Sequence, residues 1–359
     1  MTSSSTGDTS STCPVTDRRV AASVTELFGT EVHGEPLAHT DGKTGARLER
    51  VTIGGQRFVL KYLHLADDWG MRATGDVDCR AVSVWRHGLL DALPACIDHA
   101  VVGAAWDERP DGPGTVLVMR DVGAWLVPSG DGVLSLAQHL AFVDHMAQLH
   151  AAFWGWRDMI GTIGLLPLST RFVFLGPRLG EAERARGGAD LVPTQLVPEG
   201  WMRFERRAPD AAEVVFALLD DPTPLLTALE TTPQTLVHGD WKAGNLGSGP
   251  DGRTILLDWA APGIAPPCTD IAWYVCLNRA RLPQSKEDTL RAYREALERH
   301  GIDTSPWWER QCALALLGTL MQFGWEKALG NDPEAAAELA WWQARALEGA
   351  EELESRART

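Results

Sequence analysis

The sequence of 359 residues lacks the cysteine and histidine clusters that hold a structural metal. Its six cysteines are spread from Cys13 to Cys312 without a C-x-x-C pair, and no histidine joins them at zinc-ligand spacing. This distribution excludes a zinc ribbon and a disulfide-stapled scaffold. It predicts reduced thiols that are mostly buried.

Long apolar runs are also absent. No segment approaches the roughly 20 apolar residues that a membrane span needs, and the N-terminus lacks the basic-then-apolar order of a secretory signal. We therefore expect a cytoplasmic protein with no membrane partner. The first dozen residues are almost all Ser, Thr, Gly and Asp, which bury too little surface to offset their ordering entropy, so residues 1–20 are predicted to be a disordered tail.

Positive charge is scarce. Asp and Glu number 48 against 33 Lys and Arg, and the net charge of -15 would repel a phosphate backbone, which argues against a nucleic-acid partner. Hydrophobic residues at 45% and charged residues at 23% are typical of a folded soluble chain, and the length favours about two domains. The sequence carries no signal for an oligomeric state.

The first part of the chain reads as a small antiparallel sheet. Two strands, A-R-L-E-R-V-T-I and R-F-V-L-K-Y-L, flank Gly54-Gly55, a dipeptide typical of tight hairpins. Residues 76–93 then carry apolar side chains at helical intervals and predict a single helix. Two more strands are predicted within 97–106 and 114–122. Residues 21–121 are thus expected to form a lobe of one sheet and one helix.

The rest of the chain, residues 122–359, reads as mainly helical. Apolar residues recur at near-3.6 spacing, and only the stretch T-I-L-L-D reads as a strand. Helices are predicted near 135–154, 210–219, 269–278, 286–300, 308–329 and 333–355. The predicted fold class is therefore α+β, with a small β-rich lobe followed by a larger helical lobe.

The strongest chemical signal is H-G-D-W-K-A-G-N, residues 238–245, followed by an apolar strand that ends in Asp258. These segments resemble the catalytic and metal-binding segments of the aminoglycoside phosphotransferase family. Such small-molecule kinases use H-G-D-x-x-x-x-N in place of the H-R-D-x-x-x-x-N of protein kinases. The resemblance implies a protein-kinase-like two-lobe fold, ATP or GTP and Mg²⁺ as cofactors, and a small-molecule hydroxyl acceptor as partner.

Phosphoryl transfer needs a carboxylate that orients the attacking hydroxyl and a cation that neutralises phosphate charge. We expect Asp240 to be that carboxylate. Lys242 matches the position of a protein-kinase lysine that meets the γ-phosphate, and is a second candidate catalytic residue. Asn245 and Asp258 supply the neutral and anionic oxygens that suit Mg²⁺.

Two further residues are expected to support this loop. His238 is predicted to orient it through hydrogen bonds. The resemblance implies that Asp270, near the start of a helix, braces the loop. The alternative for Asp270 is a plain helix cap, because an aspartate there accepts a backbone N–H.

In the first lobe, Lys61 lies on a strand that resembles the V-A-I-K strand, whose lysine holds the α- and β-phosphates. The usual partner of that lysine is a helix glutamate, but no Glu occurs between Lys61 and Trp106. Relatives commonly place the acid where this chain has C-R-A, residues 79–81. Asp78 is the expected substitute.

Two other segments are candidates for holding nucleotide. The stretch H-T-D-G-K-T-G-A-R-L contains Gly42, Lys43 and Thr44, which are expected to form either a phosphate loop or an ordinary exposed turn. A P-loop is excluded because leucine stands where its first glycine belongs. By position, the resemblance places the hinge for the adenine edge between Met119 and Val122.

The acceptor pocket is expected in the helical lobe, where Trp325, Glu326 and Asp332 combine a stacking face with hydrogen-bond acceptors. The acidic C-terminal stretch is interspersed with arginines and reads as a solvated helix face, which favours an uncharged acceptor over an aminoglycoside. The predicted function is an ATP- and Mg²⁺-dependent kinase for an aminoglycoside or a nucleoside antibiotic, in resistance or biosynthesis. The usage of Gly, Ala, Arg and Trp resembles that of actinobacterial proteins, whose antibiotic kinases include capuramycin phosphotransferase.

Two alternatives remain open. A pseudokinase-like nucleotide sensor would explain the missing helix glutamate, although the motif residues at 240, 245 and 258 are intact. A protein Ser/Thr kinase would explain Lys242. No A-P-E signature follows Asp258, however, and the segment to Asp270 is short for an activation loop.

Overall fold

The chain forms a small lobe built on one antiparallel sheet. The computed structural model describes residues 16–37, 45–110, 112–159, 161–188 and 191–357. The strands of the first part are β1 (Glu35–Pro36), β2 (Arg47–Ile53), β3 (Gln56–Leu63), β4 (Ile97–Asp98), β5 (Val101–Arg109) and β6 (Gly112–Arg120). Five of them form a sheet in the order β1-β2-β3-β6-β5. Gly54 and Gly55 join β2 to β3 at φ 58° and 80°, which confirms the predicted hairpin.

The helix predicted over 76–93 is shorter than expected. Of its span only α3 (Arg80–Arg86) is α-helical, and the lobe also contains two short helices that were not predicted, α1 (Val24–Phe28) and α2 (Trp69–Ala73). Helix α3 ends at His87 because Gly88 adopts φ 77°, and the chain continues as a 3₁₀ turn over Leu89–Ala92.

The strand predicted within 97–106 is interrupted. Ala100 has a positive φ of 57°, which a continuous strand does not allow, so β4 and β5 separate there. Strand β5 stays in the five-stranded sheet. The two residues of β4 instead pair in parallel with a strand of the helical lobe, Thr254–Leu256, which links the two lobes.

The second part of the chain is mainly helical, which confirms the α+β class. Its helices are α4 (Leu136–Ala152), α5 (Leu168–Val173), α6 (Arg178–Ala185), α7 (Val192–Gln195), α8 (Val197–Arg207), α9 (Pro209–Asp220), α10 (Thr223–Glu230), α11 (Cys268–Leu277), α12 (Lys286–Arg299), α13 (Trp308–Lys327) and α14 (Pro333–Ala357). Four short strands, and not the single predicted one, lie among them: β7 (Thr235–Val237), β8 (Leu246–Ser248), β9 (Thr254–Leu256) and β10 (Gly263–Ala265).

A continuous apolar core positions these elements. Leu63 and Leu117, on neighbouring strands, belong to the same buried cluster as Val84 of α3 and Phe142 of α4. Antiparallel pairing of β8 with β9 and of β7 with β10 then fixes the loops that leave these strands. Within the described residues, every helix is too short or too polar to cross a membrane.

Candidate active site

In the loop after β7, two of the predicted residues bind the carboxylate of a third. Asp240 Oδ2 accepts hydrogen bonds from Asn245 Nδ2 at 2.7 Å and from Lys242 Nζ at 2.8 Å. Asn245 Nδ2 also donates to the backbone carbonyl of Asp240 at 2.9 Å. The spacing of five residues therefore closes the loop on itself. Because Nδ2 faces Asp240, the amide oxygen of Asn245 is directed to the opposite side.

The second oxygen of Asp240 has a partner that sequence reasoning missed. Trp273 Nε1, on α11, donates to Asp240 Oδ1 at 3.0 Å. Trp273 is only 7% exposed, and its ring meets Phe323 of α13 edge-on, with the ring centroids 4.8 Å apart. A usable signal was present: Trp273 follows Asp270 by three residues, a spacing that places both on one helix face.

Asp258 lies beside this loop because of a short hairpin. Leu246 pairs with Leu256 across β8 and β9, and the backbone N–H of Leu257 donates to the carbonyl of Asn245 at 2.9 Å. This register brings the residue before β8 next to the residues after β9. Asp258 has φ 62°, a left-handed conformation that aspartate tolerates better than most residues.

Lys61 reaches this carboxylate from the small lobe. Its Nζ donates to Asp258 Oδ1 at 2.7 Å. Burial is the largest influence and would lower the pKa of Lys61, but the charge of Asp258, its hydrogen bond and nearby acidic groups together raise that pKa. Burial would likewise raise the pKa of Asp258, and the charge of Lys61 lowers it instead. The two residues are thus held as an ion pair.

The structure does not bring Asp78 to Lys61. Asp78 is exposed in the turn before α3, and the ion pair that Lys61 makes within the described residues is with Asp258. The buried carboxylate of this turn is Asp76, whose Oδ1 accepts from the backbone N–H of Arg80 at 2.7 Å. Helix α3 therefore carries Arg80 at the position where relatives commonly have the acid that pairs with the lysine.

Asp270 lies directly beneath the catalytic loop. Its Oδ2 and Oδ1 accept the backbone N–H groups of His238 and Gly239, each at 2.8 Å. His150 Nε2 lies 3.2 Å from Oδ2. Burial would raise the pKa of Asp270, but the hydrogen bond with His150 and neighbouring positive charge lower it. Asp270 is not the cap of α11, a position that Pro267 occupies.

His238 supports the loop from inside. The ring is fully buried, which lowers its pKa, and its Nδ1 accepts the backbone N–H of Asp240 at 3.2 Å. The ring also meets Trp259 edge-on at 4.7 Å between centroids. A neutral imidazole in this setting holds the backbone of the catalytic loop in place.

Arg171 is a second residue that sequence reasoning missed. This α5 side chain is 1% exposed and donates to the carbonyl of Gly239 at 3.4 Å and to that of Ala261 at 2.6 Å, and burial lowers its pKa to about 10. Gly239 has φ 80°, and a Cβ there would lie 2.2 Å from both Arg171 Nη1 and the carbonyl of Ala261. Glycine is thus required in the middle of H-G-D. The signal for Arg171 is absent because it lies 68 residues before its partner.

The candidate nucleotide residues are only partly described. Gly42, Lys43 and Thr44 lie outside the described residues. Met119 is buried near the end of β6, and Val122 is buried just beyond it, where the chain passes into the helical lobe. The carbonyl of Val122 accepts the backbone N–H of Trp125 at 2.9 Å.

The residues predicted to bind the acceptor pack or pair with other parts of the helical lobe. Trp325 is 8% exposed and packs against α8, where a Cβ on Gly200 would meet its backbone carbonyl at 2.5 Å. Glu326 Oε2 lies 2.9 Å from Lys327 Nζ. Asp332 precedes α14, and its Oδ1 accepts the backbone N–H of Ala335 at 2.8 Å, as a helix cap does. Phe323 is the α13 aromatic that contacts the Asp240 partner.

Replacing Trp273 with phenylalanine is expected to lower kcat about tenfold to a hundredfold, because a hydrogen bond to a charged group contributes about 1.5 to 3 kcal/mol. Phenylalanine keeps an aromatic ring at this position, so the KM for nucleotide should stay unchanged. The measurement is magnesium-dependent ADP release with an accepted hydroxyl compound, or with water as acceptor. Trp342→Phe is the matched control, since Trp342 Nε1 donates to Glu338 at 2.8 Å within the helical lobe. Equal kcat values for the two variants would contradict the role of Trp273.

Comparison with known proteins fits this geometry. Residues 134–303, which include the catalytic loop and Asp258, match the model of the phosphotransferase enzyme family. No curated protein sequence matches the chain. A choline kinase from Cryptosporidium parvum Iowa II is 12% identical, with 91% of each chain covered and a TM-score of 0.51.

An amicoumacin kinase, solved with AMP-PNP, Ca²⁺ and Ami, is also similar in structure. It is 12% identical, with 87% of each chain covered and a TM-score of 0.50. At such identity these two likenesses show the fold, which is the protein-kinase-like arrangement of a small β lobe and a helical lobe. The family match covers residues 134–303, so this part of the chain is similar to the phosphotransferase enzyme family, which supports a kinase that phosphorylates a small-molecule hydroxyl.

Proposed function

We propose that this protein uses ATP and Mg²⁺ to phosphorylate a hydroxyl of a small antibiotic, with a nucleoside antibiotic as the favoured class. One observation carries the proposal: the Asp240 carboxylate is held by Trp273, Lys242 and Asn245 on a loop that lies beside Asp258. Residues 21–121 would bind the nucleotide, and residues 122–359 would supply the catalytic loop and the acceptor pocket.

The donor atoms fit a hard divalent cation. Asn245 offers its amide oxygen and Asp258 a carboxylate oxygen, and Mg²⁺ takes one or two such ligands beside phosphate oxygens and water. Within the described residues, no cluster of three His, Cys, Asp or Glu side chains competes as a metal site. When bound, the metal would neutralise charge that develops on the phosphates.

The residues around Asp240 support direct in-line transfer. The acceptor hydroxyl oxygen forms a bond to the γ-phosphorus while the bond from that phosphorus to the β,γ-bridging oxygen breaks, and ADP leaves. Asp240 orients the hydroxyl and accepts its proton. Lys61 lies close enough to Asp258 to exchange this carboxylate for nucleotide phosphates, and Lys242 adds positive charge beside the reacting oxygen.

The surroundings of Asp240 favour an acceptor with an uncharged ring. Trp273 and Phe323, two largely buried rings that pack edge-on, give this side of the site an apolar wall. A polycationic aminoglycoside needs a cluster of carboxylates. Two of the C-terminal acids already pair within the chain, Glu348 with Arg345 and Glu352 with Arg310.

The test is a panel of nucleoside antibiotics, aminoglycosides and simple sugars, assayed for magnesium-dependent ADP release from ATP and then from GTP. Products are examined by mass spectrometry, in which a phosphorylated acceptor is about 80 Da heavier. We expect turnover with a nucleoside antibiotic and none with EDTA. A product from an aminoglycoside would support the kinase and contradict the acceptor class. Nucleotide binding with no modified product would favour a sensor and contradict the proposed function.

A further inference from the structure

Arg80, the first residue of α3, is a buried cation that the proposed chemistry does not use. It is 4% exposed, although α3 packs at the edge of the site. Its Nε donates to the carbonyl of Gly164 at 2.8 Å, and its Nη1 donates to that of Ala260 at 2.7 Å. Both acceptors belong to the helical lobe, so this side chain reaches across the junction between the lobes.

The small lobe holds Arg80 rigidly at its own end. Asp76, itself 5% exposed, accepts the backbone N–H of Arg80 at 2.7 Å through Oδ1, and its Oδ2 lies 3.8 Å from Arg80 Nη1. Removing a guanidinium from water is unfavourable unless a counter-charge and hydrogen bonds compensate for it. Here one carboxylate and two carbonyls do so, which makes Arg80 a fixed strut and not a mobile surface side chain.

The carbonyl of Ala260 lies two residues after Asp258. The next carbonyl, that of Ala261, accepts from Arg171 at 2.6 Å, so two buried arginines hold the same turn from opposite lobes. Asp258 starts this turn at φ 62°, a conformation that aspartate tolerates at some cost and that contacts around the turn stabilise. The hydrogen bond from Arg80 is one of the contacts that stabilise it.

We propose that Arg80 is a positioning residue that ties α3 to the turn after Asp258 and so fixes the Asp258 carboxylate for the magnesium–nucleotide complex. This role rests on the proposed function, in which Asp258 is a metal ligand. Protein kinases connect the corresponding helix to the site through a lysine–glutamate pair. In this chain Lys61 pairs with Asp258 directly, and the helix is connected through Arg80 and the Ala260 carbonyl.

The test is binding of a fluorescent ADP analogue to Arg80→Gln and Arg80→Lys, with Mg²⁺ and with EDTA. We expect the affinity measured in EDTA to stay within about twofold of the native value. The affinity measured in Mg²⁺ should weaken about tenfold or more for Arg80→Gln, the range typical when a residue that orients a metal ligand is lost. Arg80→Lys keeps the charge and reaches one carbonyl only, so it should be intermediate.

Arg86→Gln is the matched control, because Arg86 ends the same helix and its side chain pairs with Asp17 at the surface. Equal loss of affinity with and without Mg²⁺, or a lower melting temperature with an unchanged magnesium effect, would overturn the positioning role and leave Arg80 as a stabilising residue. If Arg80→Gln does not fold, the same comparison of affinity in Mg²⁺ and in EDTA is made for Arg80→Lys. If Mg²⁺ does not change the affinity of the native protein for the ADP analogue, the metal site and this inference are both overturned. If Mg²⁺ raises the affinity of both variants as much as that of the native protein, the inference alone is overturned.

Discussion

Asp240→Asn is expected to lower kcat by about a hundredfold to ten-thousandfold, the usual contribution of a general base. The asparagine cannot take the proton of the acceptor hydroxyl. In the native loop one oxygen of Asp240 accepts from Trp273 and the other from Lys242 and Asn245. The asparagine replaces one of these oxygens by an N–H₂ group, which is a donor. One of these donors would then face another donor, so the loop would also lose a hydrogen bond.

Nucleotide affinity should hardly change in this variant, because Asp240 contacts the loop and α11 and not Lys61. The measurement pairs single-turnover product formation with nucleotide binding on the same preparation. Asp251→Asn, at the exposed turn between β8 and β9, serves as the control and should keep native turnover. Turnover close to native for Asp240→Asn would remove Asp240 from the mechanism.

Asp258→Asn is expected to lower magnesium-dependent turnover by about a hundredfold or more, since a metal that neutralises phosphate charge contributes several kcal/mol. The magnesium concentration at half-maximal rate should rise as well, because a neutral amide is a weaker ligand than a carboxylate. The variant also removes the partner of Lys61, so the raised pKa of that lysine should fall.

A magnesium titration of ADP release measures both effects. Asp288→Asn is a suitable control, as this exposed carboxylate on α12 pairs with Arg291 away from the loop. A native half-saturation for magnesium in Asp258→Asn would contradict its role as a ligand. Restoration of native rates by high magnesium would instead show that the loss is one of affinity.

The sequence predicted best what is local in the chain. The β2–β3 hairpin followed from Gly54-Gly55, and the loop with Asp240 and Asn245 followed from a fixed spacing of five residues. These features need no knowledge of distant partners. The long helices of the second lobe were equally accessible, because their apolar periodicity extends over many turns.

The remainder depends on contacts that periodicity cannot encode. Trp273 reaches Asp240 from 33 residues away, and Arg80 reaches Ala260 from 180 residues away. The search for an acid on α3 failed for the same reason, since Lys61 satisfies its charge with Asp258 on the other lobe. The short helices α5, α6, α7 and α10 were missed because each has too few turns to show a repeat. Helix α8 was missed as well, although its 11 residues are enough to show one.

The Arg171 guanidinium occupies the space that a side chain at position 239 would need. Protein kinases carry an arginine in the middle of H-R-D, whereas here a guanidinium arrives from α5 and lies where a side chain at position 239 would begin. A side chain at position 239 therefore requires both the loss of Arg171 and a shift of the Ala261 carbonyl. Relatives that gain a side chain at 239 are therefore expected to have exchanged Arg171 for a smaller residue, a covariation that an alignment can reveal without any structure.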